Sequence, residues 1–203
     1  MPTPTASRQA KAELRRNQIV DAAKICFRQR GFHAASMAEI AQRSALSVGQ
    51  IYRYFANKDA IIEEIVNRII NEKMRRLEDI SDHINLIAAT LAARTLYQTP
   101  GQSEIDHLLM LEVTAEATRN PLVAKILSDA EARLFHHVCR NLKTLYPQFS
   151  DAEIAARVEF IAVLSEGTGY RLLTTQKADI TLLEGLYQQA ISHLFHQLET
   201  PND

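Results

Sequence analysis

The stretch Ser36-Met-Ala-Glu-Ile-Ala-Gln-Arg-Ser-Ala-Leu-Ser-Val-Gly-Gln-Ile-Tyr-Arg-Tyr-Phe55 decides how the rest of the chain is read. Ser36 and Glu39 make a Ser-x-x-Glu capping box, in which each side chain satisfies a free N–H group at the start of a helix. Ser47 and Gln50 repeat the spacing, so a second helix starts at about Val48. Eleven positions separate the two caps. They hold about two turns of helix and a tight turn, which is helix-turn-helix spacing.

The second helix is too short to be stable alone and must dock on a support. Val48, Ile51 and Phe55, at i, i+3 and i+7, give it an apolar face. Gly49, Gln50, Tyr52, Arg53 and Tyr54 point away from that support. Two hydroxyls, an amide and a guanidinium on one bare surface suit phosphates and base edges in a major groove. Val48 and Gln50 are the expected base readers, because Gln pairs with adenine and Val meets a thymine methyl. Tyr52, Arg53, Tyr54 and Lys58 are the expected phosphate contacts, although Tyr52 or Tyr54 could equally belong to the small core. Ser36, Met37 and Ser47, at the helix starts, complete the candidate DNA-binding set.

The run continues through Ala56-Asn57-Lys58-Asp59-Ala60 into an apolar helix. Ser-Val-Gly-Gln-Ile-Tyr-Arg-Tyr-Phe-x-Asn-Lys-Asp-Ala resembles the signature of the tetracycline-repressor (TetR) family of transcriptional regulators, over roughly Arg15 to Ile70. The resemblance implies an all-α, nine-helix fold. Residues 1–57 would be an N-terminal arm and helix-turn-helix domain, and residues 58–203 a helical effector-binding and dimerisation domain. One departure lies at the turn, where the family often has Ala-Gly-Val and this chain has Ser44-Ala45-Leu46. Either Ala45 takes positive φ at a cost of roughly 1 kcal/mol or the turn avoids that region.

Charge divides the chain in the same place. Residues 1–58 hold ten Lys and Arg against three acids, a balance of +7, and the remainder holds thirteen against twenty-one, −8. Basic side chains that displace counterions from phosphates supply most non-specific DNA affinity, so only the first part is suited to a polyanion.

The 203 residues, 46% of them hydrophobic, are enough to bury a core, and six Gly and six Pro argue against a loop-rich or all-β chain. No apolar run is long enough to cross a bilayer and no signal segment opens the chain, which gives the expectation of a cytoplasmic protein with no membrane partner. Cys26 and Cys139 lie far apart in apolar helical patterns, as reduced, buried thiols do.

The first helix is expected to run to about Arg30 and to end at Gly31, with Ile19, Ala22, Ala23, Cys26 and Phe27 as its apolar stripe. Phe32, Ile40, Ala41 and Ile51 complete a three-helix core. Asn57 caps a helix from Lys58 to about Glu78, whose wide stripe Ile61, Ile62, Ile65, Val66, Ile69, Ile70, Met74 and Leu77 suits it to link two domains. Five more helices are expected at about 82–98, 103–119, 121–146, 151–174 and 179–198. Asn120-Pro121 and the box Ser150/Glu153 mark two of their starts.

The last two helices are more apolar than a monomer requires. Gly167, Gly169, Leu183, Tyr187, Ile191 and Leu194 are expected at a homodimer interface of four helices about a two-fold axis, the arrangement the resemblance implies. It also implies an effector cavity among the middle helices, for which Arg94, Tyr97, Glu112, Glu116, His136 and Tyr170 are the candidate polar groups. Glu104-x-x-His107 lacks the second copy that a di-iron site needs. His136, His137, His193 and His196 lack ligand partners at useful spacing. No metal, cofactor or catalytic residue is therefore expected.

The functional expectation is a homodimeric repressor that leaves a palindromic operator when a small-molecule effector binds. The alternatives are a DNA-binding regulator without a small ligand, and a helical enzyme or binding protein with a basic appendage.

Overall fold

The computed structural model describes residues 4–78, 83–96, 102–171, 174 and 178–196. Among the described residues are nine helices and no strand: α1 (Pro4–Ala34), α2 (Met37–Arg43), α3 (Val48–Ile51), α4 (Lys58–Glu78), α5 (His83–Leu96), α6 (Gln102–Ala117), α7 (Pro121–Leu145), α8 (Asp151–Arg171) and α9 (Ile180–Phe195). The all-α, nine-helix expectation holds. No described helix is long and apolar enough to cross a membrane. By packing, the chain divides into two compact units, Met1–Ile70 with Asp106–Glu131 and Asn71–Ile105 with Ala132–Asp203.

The helix starts follow local chemistry. Both capping boxes are formed, Ser36 with Glu39 and Ser47 with Gln50. Asn57 Oδ1 accepts the Ala60 N–H at 2.8 Å, and Asn120 Oδ1 accepts from Leu122 and Val123. Ser150 and Glu153 make the box that opens α8. Each cap is worth about 1 kcal/mol, so the caps set where helices begin rather than how stable the whole is.

Packing sets the stability of the first unit. Ile19, Ala22, Ala23, Cys26 and Phe27 of α1 are buried with Phe32, Ile40, Ala41, Ile51 and Phe55. The Phe27 and Phe32 rings stack with centroids 4.4 Å apart. In α4, Ile61, Ile62, Ile65, Val66, Ile69 and Ile70 are all buried. Leu109, Val113, Val123 and Ala130 add buried groups from the Asp106–Glu131 segment. Each large side chain so buried contributes about 1.5–3 kcal/mol, against which the backbone order of a four-residue α3 is a small debt.

In the second unit Leu91, Leu142, Phe149, Ile154, Val158, Ile191 and Phe195 form one core. Arg157 ties it together: its guanidinium lies 3.8 Å over the Phe149 ring and donates to the Leu194 carbonyl at 2.5 Å. Cys139, half-buried, has its thiol pKa pushed up by burial and by the charge of Asp151, which keeps it in the unreactive thiol form.

The turn after α2 resolves the question raised by Ala45. Its φ is 51°, and it is the one described non-glycine residue in the left-handed region. The Leu46 N–H donates to the Ala41 carbonyl at 3.0 Å, and the Ala45 N–H donates to Gln42 at 3.2 Å. Those two bonds make a Schellman cap with alanine where glycine is usual. Ala45→Gly should therefore raise stability by roughly 0.5–1 kcal/mol, the strain relieved less the backbone entropy added to the unfolded chain. Thermal unfolding followed by circular dichroism measures it, and a lower midpoint would show that φ is not strained there.

Candidate nucleic-acid interface

The single turn of α3 is held from below and behind. Ile51 is fully buried and Phe55 nearly so. Gln18 of α1 donates to the Ser44 carbonyl, fixing the α2–α3 turn. Arg16 of α1 does three things at once: it donates to the Tyr54 carbonyl at 3.0 Å, pairs with Glu64 of α4 at 2.7 Å, and lies 4.4 Å over the Phe55 ring. Burial works to raise the Glu64 carboxyl pKa, but hydrogen bonds from Arg16 and Arg68 outweigh it and hold the group below its ordinary value. Arg16 is thus a brace for α3, a role its place in a basic segment did not suggest.

Outside this support the candidate residues face solvent together. Val48 is 37% exposed and Tyr52 52%, and Ser47, Gly49, Gln50 and Arg53 are exposed as well. A Cβ built on Gly49 would meet nothing within 4 Å, so the helix presents bare backbone at that point. Tyr54 is half-buried, which places it between the phosphate and core roles expected of it. Ser36 is exposed and Met37 half-buried at the start of α2. Gln50 has a second duty, because its Oε1 accepts the Ser47 N–H at 2.8 Å. A carbonyl oxygen has two lone pairs, so the cap leaves one acceptor site and both amide N–H donors for a base edge.

Lys58 departs from expectation. Its ammonium donates to the carbonyls of Phe32 at 2.6 Å, His33 at 3.2 Å and Ala35 at 3.1 Å. An ammonium has three donors, and all three are engaged in closing the end of α1. The phosphate role expected of Lys58 would require it to leave carbonyls that have no further helical partner.

Structure also redistributes the other candidates. Glu112 of α6 accepts the Phe32 N–H at 2.8 Å, so its carboxylate serves the α1–α2 turn. Glu116 is buried beside Arg119, 2.6 Å away. His136 and Tyr170 are exposed, the latter 60%. The Arg94 side chain and Tyr97 lie outside the described residues. Glu112 and Glu116 belong to the first unit, and His136 and Tyr170 to the second. Among the interface candidates, Ile191 is fully buried and Tyr187 and Leu194 pack against the same core. Leu183 is half-buried, Gly167 is exposed, and the surroundings of Gly169 lie outside the described residues. The large apolar residues of α9 that face solvent are Ile180, 50% exposed, Leu182, 71%, and Leu186, 62%.

Residues 19–65 match the family described as bacterial regulatory proteins, tetR family. The chain is 27% identical over 135 residues to the HTH-type transcriptional regulator UidR of Escherichia coli (strain K12), covering 66% of this chain and 68% of the relative. It is 28% identical over 167 residues to the HTH-type transcriptional regulator BetI of Serratia proteamaculans (strain 568), covering 78% and 80%. Among solved structures, Salmonella enterica GusR superposes with a TM-score of 0.71 over 89% of this chain and 95% of that one, at 20% identity.

Two substitutions separate reading from support. Gln50→Ala should cost about 1–3 kcal/mol on the selected site and relax preference at one position per half-site. Lys58→Ala should lower the thermal midpoint while leaving the slope of log affinity against log salt unchanged, because no phosphate contact is lost. Selection from random DNA and a salt titration read these out. A slope reduced by about one in Lys58→Ala would return that lysine to the phosphate backbone.

Proposed function

We propose, for a DNA-binding transcriptional regulator of the tetR family, that it acts as a homodimeric repressor which leaves a roughly palindromic operator when a small molecule binds. The observation that carries the DNA-binding half is α3 itself: one capped turn, braced by Arg16 and Gln18, with Val48, Gly49, Gln50, Tyr52 and Arg53 exposed on its outer side. Amide, guanidinium, hydroxyl and apolar groups on a narrow protruding turn fit a major groove. A protein that meets chromosomal DNA in this way works in the cytoplasm and needs no catalytic group.

The dimer is supported by the apolar residues that the second unit leaves outside. On α8 these are Phe160, Val163 and Tyr170, 46%, 60% and 60% exposed, and on α9 Leu182 and Leu186, with Ile180 exposed at its start. Phe160, Val163 and Tyr170, at i, i+3 and i+10, share one side of α8, and Leu182 and Leu186, one turn apart, share one side of α9. Gly167 and Gly185 have open space where a Cβ would stand, which admits a close backbone approach. The homodimer interface proposed here is therefore Phe160, Val163, Gly167, Tyr170, Leu182 and Leu186. A symmetric pair would set two α3 turns about 34 Å apart, or a multiple of it, on one face of DNA.

Leu186→Glu is expected to convert the dimer to a monomer in sedimentation equilibrium and to abolish tight binding to a two-half-site operator while leaving helix content intact. A dimer persisting in both Leu186→Glu and Val163→Glu would place the interface elsewhere. Effector control has its own test, by thermal-shift screening of metabolites followed by calorimetry with and without operator. Reciprocity requires operator to weaken effector binding by the factor by which effector weakens operator binding, and about 100-fold corresponds to roughly 2.7 kcal/mol. Equal effector affinity in the two experiments would leave a regulator without a small ligand.

A further inference from the structure

Phe32 stands where α1 loses its helical backbone. Gly31, with φ 73° and ψ 168°, breaks the run, and the stretch to Ala35 is closed by one backbone bond, from the Ala35 N–H to the Gly31 carbonyl at 3.3 Å, and by side chains. Both polar groups of the Phe32 peptide are taken by side chains from later helices. The Glu112 carboxylate of α6 accepts its N–H at 2.8 Å, and the Lys58 ammonium of α4 donates to its carbonyl at 2.6 Å. Lys58 also holds the carbonyls of His33 and Ala35. One residue later Ser36 caps α2, the helix that carries the turn into α3. The Phe32 ring is 2% exposed and stacked on Phe27, so the peptide is anchored on its side-chain end as well.

The approach of α6 is close. A Cβ added at Gly31 would lie 3.0 Å from Glu112 Oε1. The same two helices are joined a second time by Lys24 and Asp106, paired at 2.8 Å with both side chains largely buried. The two joints differ in place, however. Lys24–Asp106 lies before the break at Gly31, whereas Glu112 holds Phe32 in the short stretch after it that leads into α2.

We propose that Glu112 is a positioning residue for DNA binding: its carboxylate holds the Gly31–Ala35 turn, and through it α2 and α3, in the orientation that meets the operator. The proposal rests on the DNA-binding reading and extends it to α6. It gives an acid otherwise assigned to an effector cavity a role in the reading end of the molecule. A movement of α6 that withdrew the carboxylate would leave the Phe32 N–H without this acceptor, a loss that favours the held arrangement.

The test compares Glu112→Ala, Glu112→Gln and Asp106→Ala with the wild-type full-length protein. An operator is first selected from random DNA by the wild type, and all four proteins are titrated on it over a range of salt. Glu112→Ala is expected to bind about tenfold more weakly, with the slope of log affinity against log salt unchanged, because no phosphate contact is removed. Hydrogen exchange at the Phe32 amide should quicken in the same variant. Glu112→Gln keeps an oxygen that can accept from Phe32 and should recover most of both losses. Asp106→Ala, which breaks the other joint, should leave the Phe32 amide protected and operator affinity close to wild type. Should Glu112→Ala fail to fold, Glu112→Asp, one methylene too short to reach, takes its place with the same expectation. Wild-type affinity in the folded variant, or equal losses in Asp106→Ala, would overturn the proposal. Failure of the wild type to enrich any sequence would instead overturn the DNA-binding reading beneath it.

Discussion

A helix of four residues cannot hold its own shape. In α3 (Val48–Ile51) the backbone bonds from Ile51 to Ser47 and from Tyr52 to Val48 close a single turn, the costly nucleus of a helix without the propagation that offsets it. Yet this is the element proposed to present a fixed set of side chains to DNA. Much of the first unit follows from that constraint. Ser47 Oγ accepts the free N–H of Gln50, Ile51 and Phe55 supply buried area, and Arg16 fastens the Tyr54 carbonyl. The turn before it is closed by a Schellman cap that accepts a strained alanine. What protrudes can then be short, because rigidity comes from α1 and α4.

Charge in the first 58 residues is divided between two tasks. Arg16 and Lys24 pair with Glu64 and Asp106, and Lys58 is spent on three carbonyls. Lys11, Arg28 and Arg53 are exposed. The +7 balance of this segment therefore overstates the number of cations free to meet phosphates. A basic segment is a footprint in the sum of its charges, while each cation still has to be assigned by its partners.

What could be read in the sequence was what depends on neighbours along the chain. Every cap read from spacing formed, because a Ser, Asn or Glu bonds N–H groups two or three residues away. The apolar stripes of α1 and α4 were legible for the same reason, since one helical face repeats with its own period. The bonds of Lys58 and Glu112 were not legible, because their partners are backbone atoms 23–26 and 80 residues away, which carry no side-chain signature. In α9 the difficulty was different. Leu182 and Leu186 alternate with Leu183, Tyr187 and Ile191, so the helix is apolar on two faces. Periodicity could count the stripes but could not say which one the chain's own core would take, and the core took Ile191.

A second consequence concerns the size of a signal. A hydrogen bond to a charged group contributes about 1.5–3 kcal/mol, and the coupling between sites in an allosteric protein is usually about 1–3 kcal/mol. The bond from the Phe32 N–H to Glu112 is therefore of the right magnitude to carry a regulatory effect by itself. A tighter strap would hold the turn through any change that a small ligand could drive, and a weaker one would not distinguish held from released. Gly31 makes the arrangement possible, because its positive φ breaks α1 at that point and frees the next N–H for a partner outside the helix. An uninterrupted α1 would have paid that N–H to its own carbonyl ladder. Glu112 would then have had no backbone donor to hold at Phe32, in the stretch that leads into α2.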